Sequence, residues 1–556
     1  MSVAKDHFFN EDGSWIGKEA ESAGETDGKK KLKKKFHMDT EVLSTNKFTW
    51  KIDYMESSGT YNTGFANLMG NVINPLYNKH PLDDYGMNVS DEYRTTVYGY
   101  PVLVFHEYAD SNQLTYRDGS QRSDGRYEYI GRYNMNLDKS SNEYYGFEIE
   151  DPHPFVPDKT IAEVSECWEM KNNWGTWCSL RWPDQATREN GFGTGSDDKL
   201  NMVQMYEVRY NNYGDQIEAI LGEKLDYNAN ANDQAKFADE IGTSRAEHNH
   251  FLRQRYFNLE KLMYWADSTD LSHVTGEDIV IRTPVMNPEN GDVTISVEHP
   301  EYVQYTTDIN YDGIDGAVSV KDTDSATYTT KFYKDSVGYR TEKFRNEFEK
   351  HFDMHYCLVY FVLTELCLCF DSRGKNVMLA SYGPQEVGGE YIWYPIFYDV
   401  DTQLGLNNSG SYLWDYDADV TIQNIFSTPN SVLWNNLYSI FYKRIVGMFQ
   451  NLRGGTTSAT NPQGGKLNYT NIIGAYECDP TVYDSYAMRG IRPIIAMGLD
   501  EYYKYFATTT ASGIGYFDTE GVHKYEDQPS YAYCCQGNKQ LTTELLLQNR
   551  LNYLDS

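Results

Sequence analysis

The chain has 556 residues, with 49 basic against 81 acidic side chains and a formal net charge of −32. That balance argues against wrapping the whole chain along nucleic acid, where affinity comes from Lys and Arg neutralising phosphates, so sequence-specific nucleic-acid binding is not expected. Eight cysteines with no C-x2-C pair exclude a disulfide scaffold and the usual cysteine zinc spacing, and no apolar run reaches the roughly 18 residues of a membrane-spanning helix.

Residues 1–46 are polar and charged, and read as an arm. They carry a basic run, Lys29–Lys35 (KKKLKKK), in an otherwise acidic chain. Such a run is either a solvated arm or one that docks on an acidic neighbour, such as another copy of the chain. The opening MSVAKDHFFNEDGSW lacks the apolar core of a secretory signal, so synthesis in a reducing cytoplasm is the expectation.

A small β-rich lobe is expected over 47–150. Phe48, Trp50 and Ile52 alternate as a strand, which leaves Lys51 on the other face. Ser57-Ser58-Gly59-Thr60 supplies turn and cap chemistry. Tyr127, Tyr129, Gly131, Tyr133 and Met135 recur at period two, a second strand. Asp138 and Lys139 follow it, either as an exposed turn ion pair or facing a cleft.

Residues 151–340 read as an insertion region. Trp168, Trp174, Trp177 and Trp182 cluster and need burial. The stretch from Glu218 to Asp267 has helical periodicity, and 276–330 turns strand-like. His248 and His250 are two apart, do not share a helix face, and are not read as metal ligands. Asp308–Gly316 has acidic spacing but lacks the closing Glu of an EF-hand, so it reads as an ordinary turn.

A large helical lobe is expected over 341–460. Met354, Cys357, Leu358, Phe361, Val362 and Leu366 fall at spacings of three and four, a helix. Asp371 follows, then Asn376, a strand at Met378–Ala380, a turn at Gly388-Gly389, a strand at Tyr391–Tyr398, and Asp399-Val400-Asp401 before Gly405. Protein kinases order a catalytic Asp, a metal-binding Asn five residues later, and a later Asp before a Gly. The competing reading is that Asp371 and Asn376 only shape a turn, since both residue types favour turns. Residues 461–556 form a C-terminal extension ending in a helix-like KQLTTELLLQNRLNYLDS, which reads as continuing in a longer polypeptide.

The elements FEKHFDM, D…KN and W-x-P…D-V-D-T…G resemble the catalytic half of the CotH-type kinase-like domain of spore-coat and related bacterial proteins. The resemblance extends to K-x-D-Y…S-S-G…N-T and I-G-x-Y-N…D-K…G in the small lobe. It implies an α+β fold: a two-lobed, protein-kinase-like core with large strand-rich insertions. It would make Asp371 the catalytic acid, Asn376 with Asp399 and Asp401 the magnesium ligands, and Lys51 the lysine contacting the phosphates of ATP. No Gly-rich phosphate loop precedes Lys51.

Two functions follow. The 48 tyrosines, the tryptophan cluster and the basic arm on an acidic body suit wide interfaces. In overall character the chain is similar to tail components of crAss-like podoviruses. The first expectation is therefore a structural phage-virion protein, made in the host cytoplasm, that forms homo-oligomers and meets other virion proteins. The alternative is an active Mg-ATP-dependent CotH-like kinase acting on a protein hydroxyl.

Overall fold

The structure, a computed structural model, describes residues 48–51, 61–69, 80–87, 93–107, 127–170, 205–213, 241–400, 402–405, 416–420, 431–456, 464–477, 516–517, 523–524 and 540–556, a few positions within these ranges aside, together with Leu180 and Trp182. Asp401, Trp174, Trp177, the Lys29–Lys35 run and the side chain of Lys51 lie outside what is described.

The core is organised around one helix and one sheet. Helix α4, numbered after α1–α3 below, spans Met354–Leu366, and the side chain of Asp353 caps its start by accepting from the Tyr356 amide at 2.6 Å. It is apolar nearly all round and is buried as such a helix must be. Tyr360 stacks on Phe397 with ring centroids 4.0 Å apart and on Trp434 at 4.8 Å, so two layers meet at one phenol. The sheet runs in the order β12-β11-β4-β5, where β4 is Glu166–Met170, β5 Tyr206–Tyr210, β11 Val377–Pro384 and β12 Tyr391–Phe397. All its pairings are antiparallel. Every residue of β11 is buried, which fits its apolar opening, Val377–Ala380. At Gly383 the backbone turns left-handed with φ +98°.

Two of these four strands come from residues that the sequence suggests belong to an insertion. Ser381 pairs with Glu166 and Met378 with Glu169, so 166–170 and 206–210 share a sheet with the catalytic-like segment. Of the tryptophan cluster, Trp168 and Trp182 are buried, Trp168 against Tyr256 at 4.3 Å.

A second sheet, β1-β3-β2, is formed by Phe48–Lys51, Tyr127–Leu137 and Gly99–Glu107. Edge strand β1 buries Phe48, but Trp50 stays exposed rather than sharing that burial. Helices α1 (Arg245–Arg255) and α2 (Phe257–Thr269) follow, α1 opened by a Ser244–Glu247 capping box. Next come a hairpin, β6 (Ile281–Met286) with β7 (Val293–Glu298), and a small sheet in the order β8-β10-β9 from Val303–Thr307, Tyr328–Phe332 and Ala317–Lys321. Helix α3 (Val337–Glu347) leads into α4. Helices α5 (Val432–Gly454), α6 (Tyr469–Glu477) and α7 (Gln540–Asp555) follow. Arg550 of α7 is 1% exposed and donates to the carbonyls of Tyr416, Ala418 and Glu365. The whole is α+β: helices pack against antiparallel sheets, with no βαβ alternation among the named elements. No described helix is long and apolar enough to cross a membrane.

Candidate functional site

The segment after α4 is wound tightly. Leu368 adopts φ +54°, and a one-turn helix, Asp371–Gly374, brings the chain to β11. Arg373 is buried beneath it, donating to Thr364 Oγ1 at 2.9 Å and the Phe361 carbonyl at 2.7 Å, and ion-paired with Glu365 at 2.9 Å. The Asn376 amide donates to the Asp371 carbonyl at 3.0 Å, which closes the five-residue loop seen in the sequence.

Asn376 then reaches the end of the next hairpin. Its Nδ2 donates to the Asp399 carbonyl at 2.8 Å. Asp399 sits at φ +51°, which Asp tolerates better than most residues. Three further bonds pin the turn: Val400 N to Asn62 Oδ1 at 2.7 Å, Gln403 Nε2 to the Tyr61 carbonyl at 3.0 Å, and Leu404 N to the Cys367 carbonyl at 2.7 Å. Thr402 Oγ1 donates to Asp371 Oδ2 at 3.0 Å. Asp371, Asn376 and the Asp399 turn therefore form one hydrogen-bonded unit. Asp371 is buried behind it at 3% exposure.

In front of the turn lies a cavity of about 240 Å³ between the β1–β3 sheet, the helical stretch 61–69 and the end of β12. Phe65, Leu137 and Phe397 give it an apolar side; Asp138, Lys139 and Asp399 give it charge. Lys139 does not pair with Asp138. Its ammonium lies 2.8 Å from Glu169 Oε2, and Glu169 also accepts from Arg209 and from the Tyr398 hydroxyl. Burial works against the Glu169 carboxylate, but Arg209 and Lys139 outweigh it and hold the group below the ordinary carboxylate range. Asp138 is likewise buried in part, and hydrogen bonds from Ser140 and Thr49 hold it below that range. The Tyr398 phenol is pushed up, by burial first and then by Glu169.

Asn376 and Asp399 are thus brought together with the Asp371 loop, and Asp399 reaches the cavity wall. Lys51 pairs with Asn134 in the β1–β3 register, and its side chain lies outside the described residues. The lysine with a described ammonium at this cavity is Lys139, and the signal for it is its position directly after the period-two strand. Oxygen ligands such as Asp399 and Asp138 suit Mg²⁺, which is commonly bound by one or two carboxylates plus phosphate and water. No group of three or more His, Cys, Asp or Glu among the described residues forms a complete cage. No family model matches the chain, and no curated protein matches it.

Proposed function

We propose that the chain is built on a two-lobed kinase-like core of the CotH type and that its cavity takes a magnesium nucleotide for phosphoryl transfer to a protein hydroxyl. The observation that carries this is the hydrogen-bonded unit of Asp371, Asn376 and Asp399, of which Asp399 lines a cavity that a Glu-held lysine also borders while Asp371 and Asn376 stand buried behind it. Kinases need a lysine fixed by a glutamate, a carboxylate for the metal and an acid near the acceptor hydroxyl. Lys139 with Glu169 offers the first, Asp399 the second and Asp371 the third. The bound magnesium nucleotide would supply the transferable phosphoryl group and neutralise its charge. Asp371 is 3% exposed, so it can accept a proton from a substrate hydroxyl only once the turn in front of it has opened.

The test is Mg²⁺-dependent binding of ATP by the full chain, followed by calorimetry. Binding lost in Asp399→Asn and Lys139→Met but kept in Asp371→Asn, with transfer lost in all three, fits the reading. A wild-type chain with no binding at millimolar nucleotide refutes it.

A second reading is favoured by the exposed apolar side chains of the β6–β7 hairpin and the β8-β10-β9 sheet: Val285, Val297, Val318 and Val320, beside Tyr302 and Tyr333. Here the same core serves as a scaffold in a multi-copy assembly of a phage tail. A ring-sized mass in solution together with no nucleotide-dependent stabilisation selects this reading over the enzyme.

A further inference from the structure

Strand β5 is irregular beside the cleft. Its ladder with β4 pairs Trp168 with Val208 but Cys167 with Tyr210, which leaves Arg209 as the extra residue of a β-bulge. A bulge bends its strand and re-aims the side chain it carries. Here the Arg209 guanidinium meets Glu169, with Nε donating to Oε2, and lies 3.0 Å from Glu207. The Lys139 ammonium holds the same carboxylate from the cavity side, 3.1 Å from Oε1 and 2.8 Å from Oε2. One buried carboxylate is thus shared by two cations.

The two cations are not equivalent. Arg209 is 16% exposed and stands behind the cavity wall, whereas Lys139 is 37% exposed and lines the cavity. A guanidinium is planar and weakly hydrated, which suits a buried carboxylate; an ammonium is strongly hydrated and rides on a flexible stem. Of the two, Arg209 does more to keep Glu169 ionised against its burial. Glu207, which also pairs with Arg209, is half exposed, so water screens its charge. Lys139 and Glu169 alone would cancel, and an incoming anion would meet only the negative charges of Asp138 and Asp399. Two cations against one carboxylate leave a net positive charge beside them.

We propose that Arg209 is a positioning residue of the cleft: it takes up the charge of Glu169 and so leaves the Lys139 ammonium free to serve an anionic ligand. That the anion is a magnesium-bound di- or triphosphate rests on the function proposed above. The unequal roles of the two cations do not.

Magnesium ADP is titrated into the full chain by calorimetry. Arg209→Met should weaken binding about fivefold, as loss of one nearby unit charge does at a half-wet site. Arg209→Lys keeps the charge and should bind within about twofold of wild type, as should Arg444→Met, which removes an exposed cation from α5. Urea unfolding without ligand reads the two cations directly. Lys139→Met should lower the folding equilibrium constant by less than about fivefold in wild type, where Arg209 still answers Glu169. In an Arg209→Met background the same change should lower it about a hundredfold, because the carboxylate is then stranded. Equal costs of Lys139→Met in the two backgrounds overturn the proposal. So does magnesium ADP binding that Arg209→Met leaves unchanged or that Arg209→Lys fails to restore. A wild type that binds no magnesium ADP refutes the nucleotide reading instead, and the unfolding comparison then decides the role of Arg209.

Discussion

Replacing Glu169 by Gln tests the electrostatic centre of the cleft most directly. The side chain is 11% exposed and faces two cations, Lys139 at 2.8 Å and Arg209, as well as the Tyr398 hydroxyl. The amide keeps the shape and removes the charge, which leaves a lysine and an arginine facing each other. Removing one partner of a buried ion pair costs about 3–5 kcal/mol. Two features of the structure move this site to the lower end. Arg209 keeps Glu207 at 3.0 Å, and the Lys139 side chain, 37% exposed, can turn into water. The expected loss is therefore about 3 kcal/mol at pH 7, read from urea unfolding of the full chain. The folded carboxylate titrates below its unfolded value, so its contribution is complete above the unfolded value and fades as pH falls through the folded one. The gap between wild type and Glu169→Gln should accordingly close on acidification below roughly pH 4. Nucleotide affinity should fall as well, because Lys139 loses the group that orients it. A gap below about 1 kcal/mol at pH 7, the value of an exposed pair, would refute the reasoning.

Three other outcomes follow from the packing. Arg550→Met should cost about 3 kcal/mol, since it strands three carbonyls while Arg373 still neutralises Glu365; hydrogen exchange should show residues 546–555 losing protection ahead of α4. His351 is held neutral, pushed down to about 3 by burial and then by Lys343, Lys261 and Lys350. The unfolded chain takes up the proton first, so stability at pH 5 should lie about 2 kcal/mol below that at pH 7 from this residue alone, and His351→Phe should flatten that part of the pH profile. Gly383→Ala should cost about 2 kcal/mol or more, because the residue is left-handed and a Cβ there runs into Val164 and His153; thermal unfolding measures it.

Much of the catalytic-like half was legible locally. The spacing of Met354 to Leu366 and the Asp353 cap specify α4, and the unbroken apolar run after Asn376 specifies β11, because both signals lie within a few residues of the backbone they shape. The order Asp371, Asn376, Asp399 was readable for the same reason, since a helix, a tight loop and a hairpin leave little freedom over where those residues meet. What local pattern could not carry was partner choice. That 166–170 pairs with β11, and that Glu169 meets Lys139, Arg209 and Tyr398, depends on contacts between segments up to 229 positions apart. The same gap explains why the sequence left Lys139 between an exposed turn pair and a cleft residue, a choice that its pairing with Glu169 decides. Periodicity tells a side chain which face it occupies, whereas the charge it will meet there is decided only when distant strands close into one sheet.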